Sequence, residues 1–88
     1  MISKDYIIIS AEGIHARPAT TLVKLTKNYK SVISIKKGER VVKLNSLLNI
    51  LSLAAKGGET ISIIADGEDE TDAMAAIDLF FNEHLKDL

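Results

Sequence analysis

Gly13-Ile14-His15-Ala16-Arg17-Pro18-Ala19 is the stretch on which the reading of this chain turns. It follows Tyr6-Ile7-Ile8-Ile9, the end of a β-rich run that starts at Ile2, and precedes a segment with apolar residues at helical spacing. Gly13 allows a sharp turn, His15 falls where a helix N-cap belongs, and Pro18 lies in the first helical turn. Proline is tolerated there because first-turn amides have no acceptor inside the helix. The chain therefore opens as strand, turn and helix. The free amides of Ala16 and Arg17, with the positive end of the helix dipole, are aimed at whatever sits on His15. An imidazole carrying an anion would be held by those donors and by the Arg17 guanidinium, an arrangement suited to a phosphorylated histidine.

Beyond this stretch, Ala19, Leu22, Val23 and Thr26 define the buried face of the first helix, with Lys24 and Lys27 off that face. Asn28 to Ser31 stops it. Val32 to Lys36 alternates apolar and polar, Lys37-Gly38-Glu39 reads as a turn, and Arg40 to Leu44 resumes the alternation, so this segment is a hairpin. Ser46 opens a short helix running to about Leu53, and Lys56-Gly57-Gly58-Glu59 breaks it. Thr60 to Ala65 is a further strand and Asp66-Gly67 turns the chain. Ala73, Ala76, Ile77, Phe80, Phe81 and His84 mark one face of a last helix. The order βαββαβα, with separated helices and a hairpin, predicts an α+β fold of two layers: an antiparallel or mixed sheet with helices on one face.

Composition narrows the function classes. Eighty-eight residues, 47% of them hydrophobic, suit a single domain over 1–88. A net charge of -1 carries no global signal for nucleic acid or an anionic membrane. The absence of cysteine removes disulfides, thiolate metal sites and cysteine nucleophiles. No stretch approaches the roughly 20 apolar residues of a membrane span, and the first residues lack a signal-peptide layout. A cytoplasmic protein without membrane insertion, cofactor or resident metal is expected.

The motif Gly13–Ala19 resembles the active-site signature of the histidine-containing phosphocarrier (HPr) family of the bacterial sugar phosphotransferase system. The resemblance extends over nearly the whole chain: its length, the Leu44-Asn45-Ser46 helix start, Gly57-Gly58 before a strand, and an acidic turn before the last helix. It implies an open-faced sandwich in which a four-stranded antiparallel sheet is covered on one side by three helices. It also implies that His15, through Nδ1, takes a phosphoryl group from phosphorylated Enzyme I and passes it to a histidine on the IIA domain of a sugar permease. Such a protein is a phosphorylated intermediate and not itself an enzyme. The chemistry is consistent with the residue type. A neutral imidazole, with a pKa near about 6.5, is nucleophilic at cellular pH, and phosphoryl transfer needs mainly positioning and charge stabilisation. Arg17 supplies the charge and paired donors.

The same resemblance implies a docking face around His15 made of Ala16, Thr20, Lys24, Lys27, Leu47, Leu48 and Leu51. Judged by periodicity alone, Leu44, Leu47, Ile50, Leu51 and Ala54 could fill the buried side of the short helix, which leaves Leu48 over and Leu47 at the margin. Where relatives often carry methionine this chain has Leu48 and Leu51, stiffer side chains of similar volume. Asn49 stands where glycine is frequent and Asn45 where lysine is frequent. Ser46 reads first as an N-cap. In the family branch with serine here, an ATP-dependent kinase (HPr kinase/phosphorylase) modifies it, and the product serves a catabolite-control transcription regulator. A phosphate at that helix start is electrostatically welcome. The competing reading is a regulatory module acting as a corepressor through phospho-Ser46, as in a relative that lacks the active histidine. The nitrogen-related branch of the system is disfavoured by Ser46. A monomer is expected.

Other features read as structure. His84 suits the end of the last helix, where a cation complements the dipole. Asp66, Glu68, Asp69, Glu70 and Asp72 do not have the spacing of a calcium loop, and Gly57-Gly58 lacks the pattern of a nucleotide-binding loop.

Overall fold

Two strands with strict period-two alternation form the middle of the sheet. In Val32–Lys37, Ile33 and Ile35 are buried while Val32 and Lys36 are exposed; in Thr60–Asp66, Ile61, Ile63 and Ala65 are buried while Thr60 and Asp66 are exposed. The structure, a computed structural model, describes residues 1–8, 16–53 and 56–84, apart from the side chains of Ala16, Arg17 and His84. Its elements are β1 (Ile2–Ile7), α1 (Ala16–Thr26), β2 (Val32–Lys37), β3 (Arg40–Lys43), α2 (Leu47–Ser52), β4 (Thr60–Asp66) and α3 (Glu70–His84). The predicted βαββαβα order is the observed one. The boundaries differ by a residue or two: Leu44 follows β3 instead of ending it, and Leu53 is the C-cap of α2. The first strand was expected to reach Ile9, which lies outside the described residues.

The four strands pair in the order β1-β4-β2-β3, every pair antiparallel. The sheet is therefore antiparallel and not mixed. Lys37 faces Arg40 across a two-residue hairpin loop, and Gly38 takes φ +60°, a backbone region that tight hairpin loops require and glycine enters without steric cost. One face of the sheet packs on the helices. Ile33 and Ile35 of β2 and Ile61, Ile63 and Ala65 of β4 meet Ala19, Leu22 and Val23 of α1, Ile50 of α2, and Ala73, Met74, Ile77, Phe80 and Phe81 of α3 in a single core. The α1 face was read correctly from its periodicity. On α3, Met74 joins the buried set and Ala76 is only half-buried. Each fully buried isoleucine contributes on the order of 1.5–3 kcal/mol.

Edge strand β1 is fastened to α3 by a polar clamp above a ring stack. Tyr6 stacks on Phe81 with centroids 4.2 Å apart, its hydroxyl donates to Asp78 at 2.9 Å, and Lys4 Nζ lies 2.7 Å from the same carboxylate. The Lys4 ammonium, and after it the Tyr6 hydroxyl, hold the Asp78 carboxyl below the usual carboxylate range. Burial, and then the bond to Asp78, raises the Tyr6 phenol.

A second fastening joins the two ends of the central strands. Asp69 precedes α3, yet its carboxylate accepts bonds from the amides of Lys30 (2.7 Å) and Ser31 (2.8 Å) and from the Ser31 hydroxyl, just ahead of β2. The Ser31 hydroxyl and then the Lys30 amide hold this carboxyl below its ordinary pKa. Gly67 passes so close to this turn that a Cβ built on it would lie 2.7 Å from Ser31 Cα. Gly67→Ala is therefore expected to destabilise the fold by about 1–3 kcal/mol, measured by urea denaturation.

Acid should act through these two carboxylates and through that of Glu59, which accepts from the Lys56 amide and pairs with Lys37. Asp69, Asp78 and Glu59 all titrate lower in the folded chain than in the unfolded one. Their stabilisation is complete above the unfolded values of about 3.9 for Asp and 4.3 for Glu, and is lost as pH falls through the folded ones. Thermal unfolding followed by circular dichroism should give a Tm that drops below about pH 4, with a shallower drop for Asp69→Asn.

Candidate functional site

His15, the residue the sequence singles out, lies outside the described residues, as do Ala54 and the connection 9–15. Its setting is nevertheless defined on both sides. The chain enters at Ile8, fully buried, whose amide donates to the Glu59 carbonyl at 2.9 Å and whose carbonyl accepts from Gly58 at 2.7 Å. The Gly57-Gly58 turn thus holds the start of that connection. The chain leaves it directly into α1, which begins at Ala16, so Ala16, Arg17 and Pro18 form its first turn. Pro18 and Ala19 are buried, which anchors that end of the helix. First-turn amides have no acceptor within their own helix.

The exposed ridge of α1 carries Thr20, Thr21 and Lys24, and Lys27 is exposed in the turn just past the helix. The two lysines border different grooves: Lys24 lines a groove with Leu25, Leu79, Phe80 and Glu83 on the α3 side, and Lys27 lines a cavity with Leu44 and Asn45 on the other.

Six residues make α2 too short to be stable alone, so its neighbours hold it. At its start Ser46 has extended backbone (φ -142°, ψ 129°), and its hydroxyl oxygen accepts from the Asn49 amide at 3.4 Å, a long bond. The N-cap reading of Ser46 holds. Asn49 adds a tie that the sequence did not suggest: its side-chain amide donates to the Lys43 carbonyl at 3.2 Å, joining α2 to the end of β3. At the far end Arg40 donates to the Ser52 carbonyl at 2.8 Å and Lys37 to the Leu53 carbonyl at 3.0 Å, so two cations sit on the negative pole of the helix. Lys37 also pairs with Glu59 at 3.2 Å. The backbone amide of Lys56, and then this lysine, hold the Glu59 carboxyl low. The two caps were missed, though a signal existed: period two puts Lys37 on the inward face with Ile33 and Ile35, and Arg40 opposite Lys37 shares that face.

Burial on α2 departs in part from the periodic reading. Leu44, Ile50 and Leu53 fill the core, Leu47 is half-buried against it, and Leu48 is 76% exposed. Leu51, counted among residues that could fill the core, is 38% exposed, and Leu53 takes the buried place instead. Six residues give too few repeats for periodicity to settle which side the sheet covers. Leu48 and Leu51 thus form an apolar surface beside Ser46, and α1 packs directly against α2. Among the described residues no three His, Cys, Asp or Glu side chains could hold a metal, and no helix is long and apolar enough to cross a membrane.

A short βαββαβα open-faced sandwich, with α1 starting directly after the connection that bears His15, is the class of fold this chain adopts, and its similarity to known proteins narrows it further. The family described as "PTS HPr component phosphorylation site" matches residues 2–83. The structure of a Mycoplasma histidine-containing phosphocarrier protein is 34% identical, with a TM-score of 0.92 and 96% of each chain covered. The phosphocarrier protein HPr of Bacillus anthracis is 29% identical (TM-score 0.80; 90% of this chain and 94% of that one). The Bacillus subtilis catabolite-repression protein Crh, crystallised as a domain-swapped, intertwined dimer, is 28% identical (TM-score 0.75; 94% and 95%). The chain belongs to the HPr phosphocarrier family.

Burial along α2 separates two kinds of leucine or isoleucine substitution. Ile50→Ala is expected to cost about 2–5 kcal/mol, and Leu48→Ala to stay within about 0.5 kcal/mol, both read by chemical denaturation.

Proposed function

We propose that the chain carries a phosphoryl group on His15, received from phosphorylated Enzyme I and delivered to IIA domains of sugar permeases. A P–N bond forms at His15 Nδ1 as the donor's bond to phosphorus breaks, and the reverse happens on delivery. Arg17 and the first-turn amides of α1 balance the phosphoryl charge. The observation that carries this reading is the intact Gly13–Ala19 motif running straight into a helix that begins at Ala16, in a chain matched to the family over residues 2–83. Partners dock on Ala16, Thr20 and Lys24 of α1, on Lys27 just past it, and on Leu47, Leu48 and Leu51 of α2. The exposure of Leu48 and Leu51 beside Ser46 supports that assignment. We take residues 1–88 as one such domain, acting as a monomer in the cytoplasm.

Ser46 is the proposed regulatory position, modified by HPr kinase/phosphorylase and read by a catabolite-control transcription regulator. Two observations favour it: the half-buried serine caps α2, and a relative named for catabolite repression shares the fold. A phosphate here would meet the helix start favourably while placing charge next to Leu48. A corepressor role through phospho-Ser46 is the second reading.

Intact mass after incubation with phosphoenolpyruvate and Enzyme I should show a gain of one phosphate that is acid-labile and absent from His15→Ala. No gain, with Enzyme I active on another carrier, would overturn the carrier reading and favour the corepressor.

A further inference from the structure

A cavity of about 280 Å³ opens where the end of α1, the start of β2 and the β3–α2 turn meet. Ile33 and Leu44, both buried, form its floor, and Val32 and Tyr29 add apolar wall. Among the described residues, Lys27 and Lys43 bring the only charges to its lining, and Asn45 adds an amide. Neither lysine forms an ion pair or a side-chain hydrogen bond among the described residues. Asp69, the carboxylate bonded to Ser31 in the wall, is already occupied by the Lys30 and Ser31 amides and the Ser31 hydroxyl. The groove between α1 and α3 differs: there Lys24 shares the lining with Glu83, so the charge is balanced.

The walls of the cavity are held in place. Leu44 donates to the Ile33 carbonyl at 2.8 Å, and the Thr26 hydroxyl lies 2.7 Å from the Val23 carbonyl and 3.2 Å from that of Leu44. A preformed recess loses little ordering entropy when it is filled. An apolar floor beneath two unpaired cations selects a ligand with an apolar body and a negative end, and is too small for more than about a dozen non-hydrogen atoms.

We propose that this cavity binds a small organic anion, a phosphate ester or carboxylate with a ring or short alkyl body, whose charged end lies between Lys27 and Lys43. The site is separate from His15 and does not rest on the carrier chemistry: a chain unable to accept phosphate, such as His15→Ala, can still bind there.

Titration of the ¹⁵N-labelled chain with phenyl phosphate, inorganic phosphate and benzyl alcohol, followed by amide shifts at low ionic strength, tests it. Phenyl phosphate should give saturable shifts at Lys27, Ile33, Leu44 and Asn45 with Kd on the order of 1 mM, inorganic phosphate a weaker response, and benzyl alcohol none. Replacing both lysines (Lys27→Gln with Lys43→Gln) should weaken binding about tenfold, and Lys43→Gln alone part of the way. Shifts confined to residues around Ala16–Ala19, equal responses to inorganic phosphate, absence of saturation, or unchanged affinity in the double variant would each overturn the proposal.

Discussion

The antiparallel ladders on either side of β4 are the constraint on which the rest of the molecule depends. This strand is the last of the sheet in sequence, yet it lies between β1 and β2 and bonds to both. Its inward side chains, Ile61, Ile63 and Ala65, are fully buried beneath the helices. Its ends fix what the outer elements do. The residues entering it, Gly58 and Glu59, grip Ile8 and so set where the His15-bearing connection departs. The residues leaving it, Gly67 and Asp69, close on Ser31 and set where β2 begins.

A carrier domain must present a reactive side chain and an apolar docking patch without exposing its core. The division of labour on α2 meets that need. Ile50 and Leu53 anchor the helix, Leu48 and Leu51 face out, and the ends are held by Ser46, Asn49, Lys37 and Arg40 rather than by helix length. Most of these ties come from the β2–β3 hairpin. The hairpin therefore acts as a bracket for the helix that carries Ser46, which links the stability of the edge strand to the surface proposed to meet partners.

Much of this was legible in the residues themselves. The buried face of α1 and the inward positions of β2 and β4 follow from periods of 3.6 and 2 sustained over enough residues to be unambiguous. The exposure of Leu48 followed from the narrowness of any face a short helix can bury. Leu51 and Leu53 were not resolved in this way, because less than two turns of helix carry too little pattern to orient it. Asn49 looked like a simple departure from the family pattern, and its bond to the Lys43 carbonyl depends on how α2 lies against β3.

Sequence by itself determined the order of elements and the faces of the longer elements, and singled out the Gly13–Ala19 motif, because these are local properties of side-chain type and spacing. Tertiary structure alone decided the strand order β1-β4-β2-β3, the Asp69–Ser31 and Tyr6–Asp78 fastenings, the cation caps on α2, and the cavity between Lys27 and Lys43. Each of these joins groups from different segments, 38 residues apart for Asp69 and Ser31 and 72 for Tyr6 and Asp78. Chain periodicity carries no information about such pairs; only burial of the common core brings them within hydrogen-bonding distance.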